Sequence, residues 1–206
     1  MSLTLLEWRR EIGRIYAQVR TAADPHKGWL AWRDGRDRLF ATHPDSPLAA
    51  SARKGFTRLP VGDYDPGMRF VVPVEPAPPA HLDVPTGTDG IAPFDRIGVV
   101  TLHGLGSLDV WWLGSYGGGL FLPIRDGSAG RTSYGGGRYL LDTVKGADLG
   151  GSGSGADGLV VDLNFAYHPS CAYDTAWACP LAPPGNALEA ELSVGELLPE
   201  GGWYSV

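Results

Sequence analysis

The chain has 206 residues, a length that suits one domain and allows about 70% of the unfolded surface to be buried. Charged residues make up only 19% of the chain, and its 30 glycines, seven Trp and eight Tyr favour a β-rich body with many tight turns. Two cysteines are too few for a disulfide framework, and no apolar stretch approaches the ~18 residues of a membrane span. Arg9, Arg10 and Glu11 occupy positions that a signal peptide would keep apolar. We therefore expect a soluble cytoplasmic protein.

The formal net charge of −6 is unevenly distributed along the chain. Residues 1–58 contain eleven Lys or Arg and six Asp or Glu, a net charge of +5, whereas residues 59–206 carry a net charge of −11. A basic segment could contact a nucleic acid, or it could pack against the acidic remainder of its own chain. Because acidic residues separate the basic ones, the second interpretation is favoured. Neither a nucleic-acid partner nor a membrane partner is predicted.

The N-terminal residues predict two amphipathic helices. Between Thr4 and Arg20, apolar residues recur every three or four positions and form one stripe, and the same spacing recurs between His26 and Phe40. The two stripes consist of Leu5, Trp8, Ile12, Ile15 and Val19, and of Trp29, Trp32, Arg36 and Leu39. Ser46-Pro47 predicts the start of a short third helix that ends at Gly55.

After Phe56, short apolar segments bounded by Gly or Pro predict seven strands. The predicted strands are Met68–Val74, Ile97–His103, Leu108–Leu113, Leu120–Arg125, Tyr139–Val144, Leu159–Phe165 and Leu188–Val194. The proline-rich residues 74–87 predict an irregular surface segment, and the glycine-rich residues 146–158 predict a loose loop. The expected fold is α+β and mainly β: an antiparallel β-sandwich or partly open barrel with N-terminal helices packed against it. We expect a single domain, 1–206, with a helical arm, 1–58, and a β-rich body, 59–206.

Common nucleotide and hydrolase motifs are missing or misplaced. Residues 153–158 match G-x-G-x-x-G, but a strand is predicted after them where a dinucleotide site requires a helix. The phosphate-binding pattern G-x-x-x-x-G-K-[ST] and a serine in G-x-S-x-G do not occur. No cofactor is therefore predicted.

His168, Cys171 and Cys179 bring three soft metal-ligand side chains into twelve residues. Zinc sites usually pair cysteines about two to four residues apart, and the seven-residue gap here leaves a metal site as a weak alternative only. A disulfide between the two cysteines is disfavoured in a reducing cytoplasm, and a Cys171 nucleophile with His168 as its base is a further alternative. The favoured interpretation is two reduced, largely buried thiols that pack against a proline-rich turn.

Two segments combine polar residues in a way that favours a binding pocket. The first, residues 121–140, carries Asp126, Tyr134 and Arg138 among several glycines. In the second, residues 161–167, strand alternation would place Asp162 and Asn164 on one face. An arginine beside carboxylates and amides can hold a planar anion, or it can form an internal ion pair such as Arg138–Asp162 that only fastens the sheet. Both alternatives stay open.

These segments resemble a family of bacterial and archaeal proteins, domain of unknown function 1684. The resemblance is carried by Tyr134–Leu140, Val161–Tyr167, Pro169–Cys171, Cys179–Leu181, Pro183-Pro184, Asn186 and Gly195-Glu196, with Trp8–Arg10 and parts of Leu39–Leu48 before them. Three positions depart from the family: His168 stands where Asn is more common, Ser170 replaces a proline and Ser133 a threonine. The departure at His168 disfavours a required His–Cys metal site or dyad, and the resemblance implies no activity.

We expect the chain to bind a small polar or anionic ligand in a glycine-rich β pocket. The candidate ligand-binding residues are Tyr134, Arg138, Asp162, Asn164, Tyr167 and Asn186. One alternative is a hydrolase-like enzyme in the same pocket, with Asp126 or Asp162 as the general base and Arg138 stabilising negative charge. The other is a structural scaffold in which these residues satisfy buried backbone groups and bind no ligand.

Overall fold

A computed structural model describes residues 3–86, 90–114, 116–151 and 158–199. Within these ranges, three helices precede seven strands. The helices are α1 (Leu3–Thr21), α2 (Pro25–Thr42) and α3 (Ala50–Arg53), and the strands are β1 (Arg69–Val72), β2 (His81–Thr86), β3 (Gly90–Leu102), β4 (Gly106–Leu113), β5 (Gly119–Ile124), β6 (Arg138–Asp142) and β7 (Leu159–Asp162). No helix in the described ranges is both long enough and apolar enough to cross a membrane.

The strands form two antiparallel sheets. One has the order β2-β3-β4-β5-β6, and the other pairs β1 with β7 so that Arg69 lies opposite Asp162. Two single bridges join residues that follow β1 and β7 to the larger sheet: Glu75 pairs with Val99 of β3, and Tyr167 pairs with Tyr139 of β6. The expected α+β fold with antiparallel sheets is confirmed, and over the described residues the sheets do not close into a barrel.

The helical arm packs into the same core as both sheets. Ile12 and Ile15 of α1 and Trp29 and Trp32 of α2 are buried in one apolar cluster together with β-strand residues such as Val110. Both predicted stripes are therefore confirmed as the buried or half-buried faces of their helices. The arm also contacts the body through polar groups, since Arg20 Nη1 donates to the carbonyl oxygen of Asp148 at 2.7 Å.

Four local predictions were wrong. Residues 81–86 form the edge strand β2, where Pro85 is tolerated because an edge leaves one side of the backbone unpaired. Residues 188–194 are not a strand and instead make separate hydrogen bonds to Arg125–Gly127. The third helix begins at Ala50 and not directly after Ser46. The hydroxyl of Ser46 donates to the carbonyl oxygen of Phe40 and does not cap this helix. Strand β7 ends at Asp162, and a 3-10 turn follows.

Candidate functional site

Arg138 begins β6 and is fully buried. Its Nη2 donates to Asp126 Oδ1 at 2.9 Å, and its Nη1 donates to the carbonyl oxygens of Val194 and Glu196 at 2.7 and 3.1 Å. Within the described ranges, no hydrogen bond or ion pair joins Arg138 to Asp162. The Arg138–Asp162 pair considered from the sequence is therefore replaced by an Arg138–Asp126 pair.

Both oxygens of the Asp126 carboxylate accept hydrogen bonds from within the protein. Its Oδ2 accepts the backbone N–H groups of Ser128 and Leu192 at 3.1 and 2.9 Å. Burial alone would raise the pKa of Asp126, but Arg138 and these N–H donors lower it below its ordinary value overall. A carboxylate with a lowered pKa is a weak base, so this geometry does not favour Asp126 as a general base.

A second buried ion pair lies beside the first. Arg36 of α2 donates through Nη2 to Glu196 Oε2 at 2.6 Å, and both side chains are buried. Burial alone would lower the pKa of Arg36, but Glu196 raises it above its ordinary value. We call the pairs Arg36–Glu196 and Arg138–Asp126 the buried charge cluster. Its two cations balance its two carboxylates.

His168 is held within the same region as a neutral imidazole. Its Nε2 accepts the backbone N–H of Tyr134 at 3.2 Å, and its Nδ1 lies 3.8 Å from Glu196 Oε1. Burial lowers the pKa of His168 to about 4, although the charge of Glu196 opposes this. Glu196 also accepts the hydroxyl of Tyr173. Both ring nitrogens of His168 are therefore directed to groups other than the cysteines.

The glycine-rich turn before β6 is packed against the protein's own atoms. A Cβ at Gly136 would lie 2.5 Å from the ring of Tyr134. At Gly137 the backbone has a φ of +90°, and a Cβ would lie 2.6 Å from the carbonyl oxygen of Ile124. Glycine is required here by a left-handed conformation and by close protein packing, which explains the motif without a ligand.

Asn186 and Tyr167 also serve internal contacts. Asn186 accepts the indole N–H of Trp111 at 2.8 Å and donates to the carbonyl oxygens of Asp109 and Pro123 at 2.8 and 2.9 Å. The backbone of Tyr167 pairs with Tyr139 of β6, and the Arg36 guanidinium lies over its ring. The predicted pocket residues of this group, Tyr134, Arg138, Tyr167 and Asn186, therefore participate in a packed interior.

Asp162 and Asn164 lie in a different environment, where β7 ends. Asp162 Oδ1 accepts the backbone N–H and the amide of Asn164 at 3.0 and 2.7 Å, which starts the 3-10 turn. Asn164 in turn exchanges two hydrogen bonds of 2.8 Å with the backbone of Asp65. The other oxygen, Asp162 Oδ2, is buried without a hydrogen bond and lies 3.7 Å from Arg69 Nε. Burial raises the pKa of Asp162 to about 6, against the opposing effects of Asn164 and Arg69.

Arg69 connects buried Asp162 to an open cleft of about 550 Å³, which we call the α2 cleft. Its walls are Asp24, Pro25, His26, Tyr64, Pro66 and Arg69. The rings of His26 and Tyr64 are stacked, with centroids 5.0 Å apart. Asp24 caps the start of α2 by accepting the backbone N–H of His26 at 2.9 Å. The cleft therefore combines an aromatic wall, one guanidinium and one carboxylate.

The two cysteines, Cys171 and Cys179, are not joined by a disulfide. Cys171 is buried in a 3-10 turn, whereas Cys179 is half-buried against the aromatic cluster of Phe94, Trp111, Phe121 and Tyr139. Over the described ranges, no three His, Cys, Asp or Glu side chains are placed to hold a metal ion. His168, Cys171 and Cys179, the weak metal candidates of the sequence, are accordingly not assembled into a site.

A family model described as a protein of unknown function, DUF1684, matches residues 54–197. The chain belongs to DUF1684. Its fold is similar to the solution NMR structure of an uncharacterised protein from Haloarcula marismortui, with 31% identity and a TM-score of 0.57. That match covers 83% of this chain and 92% of the other. Comparison with curated protein sequences found no match.

The DUF1684 match covers only part of each of the two polar regions. It contains Asp126, Arg138 and Glu196 of the buried charge cluster but not Arg36, which α2 supplies. It likewise contains Tyr64 and Arg69 of the α2 cleft but not His26. Both regions are thus completed by the helical arm that precedes the matched residues.

Sequence reasoning missed several residues of these regions. Arg36 carried the strongest signal, because an arginine on the apolar stripe of a helix requires a buried partner. Its partner Glu196 appeared only as part of the family resemblance. Arg69 and His26 carried no signal of their own, since their proximity depends on how α2 packs against β1. The GxGxxG match at 153–158 lies mostly outside the described residues.

Proposed function

We propose that this DUF1684 member binds a small planar carboxylate, or a similar polar monoanion, in the α2 cleft. The proposal rests on the partly exposed guanidinium of Arg69, which has one distant ion-pair partner. Its side chain is 31% exposed, and Nε lies 3.7 Å from Asp162. Over the described ranges the guanidinium makes no hydrogen bond to another residue, so its terminal nitrogens are available for the paired N–H···O bonds that a carboxylate accepts.

The walls of the α2 cleft favour a planar ligand with a single negative charge. The stacked rings of His26 and Tyr64 offer a flat aromatic surface beside Arg69. The carboxylate of Asp24 lies at the same cleft and would repel a second negative charge. A monocarboxylate attached to a flat or ring-shaped group meets both conditions better than a phosphate of higher charge. By contrast, Arg138 is enclosed and bonded to three acceptors.

A thermal-shift screen of small carboxylates, phosphates and neutral amides tests this proposal on wild type and Arg69→Gln. A carboxylate present at ~100 times its dissociation constant should stabilise the wild type by about 2.7 kcal/mol, and Arg69→Gln should show no shift. Arg131→Gln, which removes an exposed arginine bonded to Gly127 and Glu191, is the matched control and should shift like wild type.

Arg69→Gln could abolish binding by removing the contact to the ligand or by disturbing Asp162, and a second variant distinguishes these two causes. His26→Ala removes one of the two stacked rings and leaves the Arg69–Asp162 pair in place. It should weaken binding of ring-bearing carboxylates more than binding of acetate. Equal shifts in wild type, Arg69→Gln and His26→Ala would place the ligand elsewhere. A screen in which no carboxylate shifts the wild type would reject the proposal.

One observation favours a second candidate, an enzyme in the same cleft. The pKa of Asp162, raised by burial to about 6, is close to the value that suits a general base near neutral pH. Asp162 Oδ2 lies behind Arg69, so a ligand that draws the guanidinium toward itself would uncover this oxygen. In that case Asp162 would act with Arg69 and not with Arg138. Conversion of a bound carboxylate by wild type but not by Asp162→Asn, with binding retained in both, would support this candidate.

A further inference from the structure

Asp162 and Arg69 face each other across the two-stranded sheet. They are directly opposite in the register of β1 and β7, and Asp162 Oδ2 lies 3.7 Å from Arg69 Nε. The two side chains differ in exposure: that of Asp162 is 1% exposed, whereas that of Arg69 is 31% exposed and borders the α2 cleft. One guanidinium therefore lies between a buried carboxylate and the space in which a carboxylate ligand would bind.

The two oxygens of Asp162 have unequal contacts. Oδ1 accepts the backbone N–H and the side-chain amide of Asn164, whereas Oδ2 is buried and accepts no hydrogen bond within the described ranges. A proton on Oδ2 would therefore break no hydrogen bond with the protein. It would also neutralise a buried negative charge, which an interior of low polarity disfavours. Oδ2 is thus the oxygen at which Asp162 accepts a proton at the lower cost.

We propose that the α2 cleft takes up a proton together with its carboxylate ligand, and that Asp162 Oδ2 accepts this proton. The inference rests on the proposed function, because it requires a carboxylate bound to Arg69. In the free protein, Arg69 offsets the charge of Asp162. In the complex, two carboxylates share one guanidinium, and the ligand brings a second negative charge close to Asp162. Protonation of Asp162 removes this repulsion and leaves Arg69 to the ligand.

The acidity of Asp162 places this proton uptake near neutral pH. Burial raises the pKa of Asp162 in the free protein to about 6, against the opposing effects of Asn164 and Arg69. A second carboxylate at Arg69 raises the pKa further, because a like charge disfavours the ionised form. Asp162 is therefore mainly ionised at pH 7 before the ligand binds, and a larger fraction is protonated afterwards. By linkage, a carboxylate should bind more tightly as the pH falls from 8 to 6.

Other ionisable side chains lie around Asp162 and the α2 cleft. The start of α2 contributes Asp24 and His26, and the segment before β1 contributes Tyr64 and Asp65. Burial raises the pKa of Tyr64 above its ordinary value, so Tyr64 stays neutral between pH 6 and 8. His26 would produce the same trend as Asp162, because a protonated imidazole attracts a carboxylate. The test must therefore distinguish these two groups.

Isothermal titration calorimetry with benzoate tests the proposal, because benzoate stays a carboxylate between pH 6 and 8. Titrations in two buffers of different ionisation enthalpy measure the proton uptake of the wild type and need no variant. An average uptake of about a third of a proton over this range corresponds to a dissociation constant about fivefold higher at pH 8 than at pH 6. We expect at least this change.

Two variants assign the proton. Asp162→Asn keeps an oxygen for the N–H of Asn164 but does not titrate, so it should take up no proton and bind benzoate equally at pH 6 and 8. His26→Phe keeps a ring against Tyr64 and does not titrate at this position, and it should retain the uptake of the wild type. Circular dichroism of each variant confirms that the comparison is made between folded proteins.

The outcomes separate this inference from the proposed function. Benzoate that binds the wild type without proton uptake, and equally at pH 6 and 8, would overturn the inference alone. Proton uptake that persists in Asp162→Asn, or disappears in His26→Phe, would assign the proton to another group and would also overturn it. A wild type that binds neither benzoate nor acetate would overturn the proposed function and the inference with it.

Discussion

Replacing Arg138 by Met should destabilise the fold severely, because it leaves three buried acceptors without a donor. These are Asp126 Oδ1 and the carbonyl oxygens of Val194 and Glu196. Met fills much of the volume but donates no hydrogen bond. Removing one partner of a buried ion pair typically costs about 3–5 kcal/mol, because the other charge remains buried and uncompensated. We expect a loss of about 4 kcal/mol, a large part of the about 5–15 kcal/mol that stabilises an ordinary domain.

Urea unfolding followed by tryptophan fluorescence measures this loss as a change in the free energy of unfolding. Arg138→Lys keeps the charge without the fork of donors, so its stability should lie between wild type and Arg138→Met. The exposed control Arg131→Gln should stay within about 0.5 kcal/mol of wild type. In a protein that already carries Asp126→Asn, the charge that Arg138 neutralises is gone. Arg138→Met should therefore lower the free energy of unfolding by at least about 1 kcal/mol less there than in the wild type.

Two results would refute this reasoning. The first is a loss below about 1 kcal/mol for Arg138→Met with an unchanged denaturant slope. An unchanged slope means that the variant unfolds from an equally compact state, so a small loss would show that the contacts of Arg138 contribute little to stability. The second is strict additivity of Arg138→Met and Asp126→Asn, which would mean that the two side chains do not interact.

Two further predictions concern Asp162 and Asn186. The pKa of Asp162 in the folded chain, about 6, exceeds the ordinary 3.8, so the folded state binds the proton more tightly. Stability should then rise as the pH falls from 7 to 5, by about 1 kcal/mol more in wild type than in Asp162→Asn, and equal pH slopes would contradict this. Asn186→Ala leaves three buried polar groups unpaired and should cost about 3 kcal/mol in urea unfolding, whereas Trp111→Phe, which removes one of those bonds, should cost less. Equal losses would mean that the two carbonyl contacts contribute nothing.

The sequence predicted the elements that a regular period defines. The stripes of α1 and α2 and most strands follow directly from apolar spacing. Strand β2 was missed because its neighbourhood contains many prolines, although Leu82 and Val84 alternate with polar residues as an edge strand requires. Residues 188–194 resemble a strand in composition, but their hydrogen bonds are made one at a time to Arg125–Gly127, which no local pattern reveals.

The error at the site has a single physical cause. Joining Asp162 to Arg138 assumed that strand alternation continues through residue 167. Asp162 instead accepts the backbone N–H of Asn164, a local contact that Asp favours and that ends the strand. Arg138 pairs with Asp126, only twelve residues earlier, and the segment at 194–196 completes its contacts. Local spacing could suggest Asp126 as a partner of Arg138, but only tertiary packing brings residues 194–196 to it.

The positions that carry the family resemblance are mainly occupied by internal contacts. The turn at 134–140, Asn186 and Glu196 satisfy buried charges, carbonyls and an indole. A motif of this kind preserves a fold whatever the chain binds, because each buried polar group that loses its partner costs free energy. Chemistry that these internal contacts do not use remains at Arg69, which borders the α2 cleft.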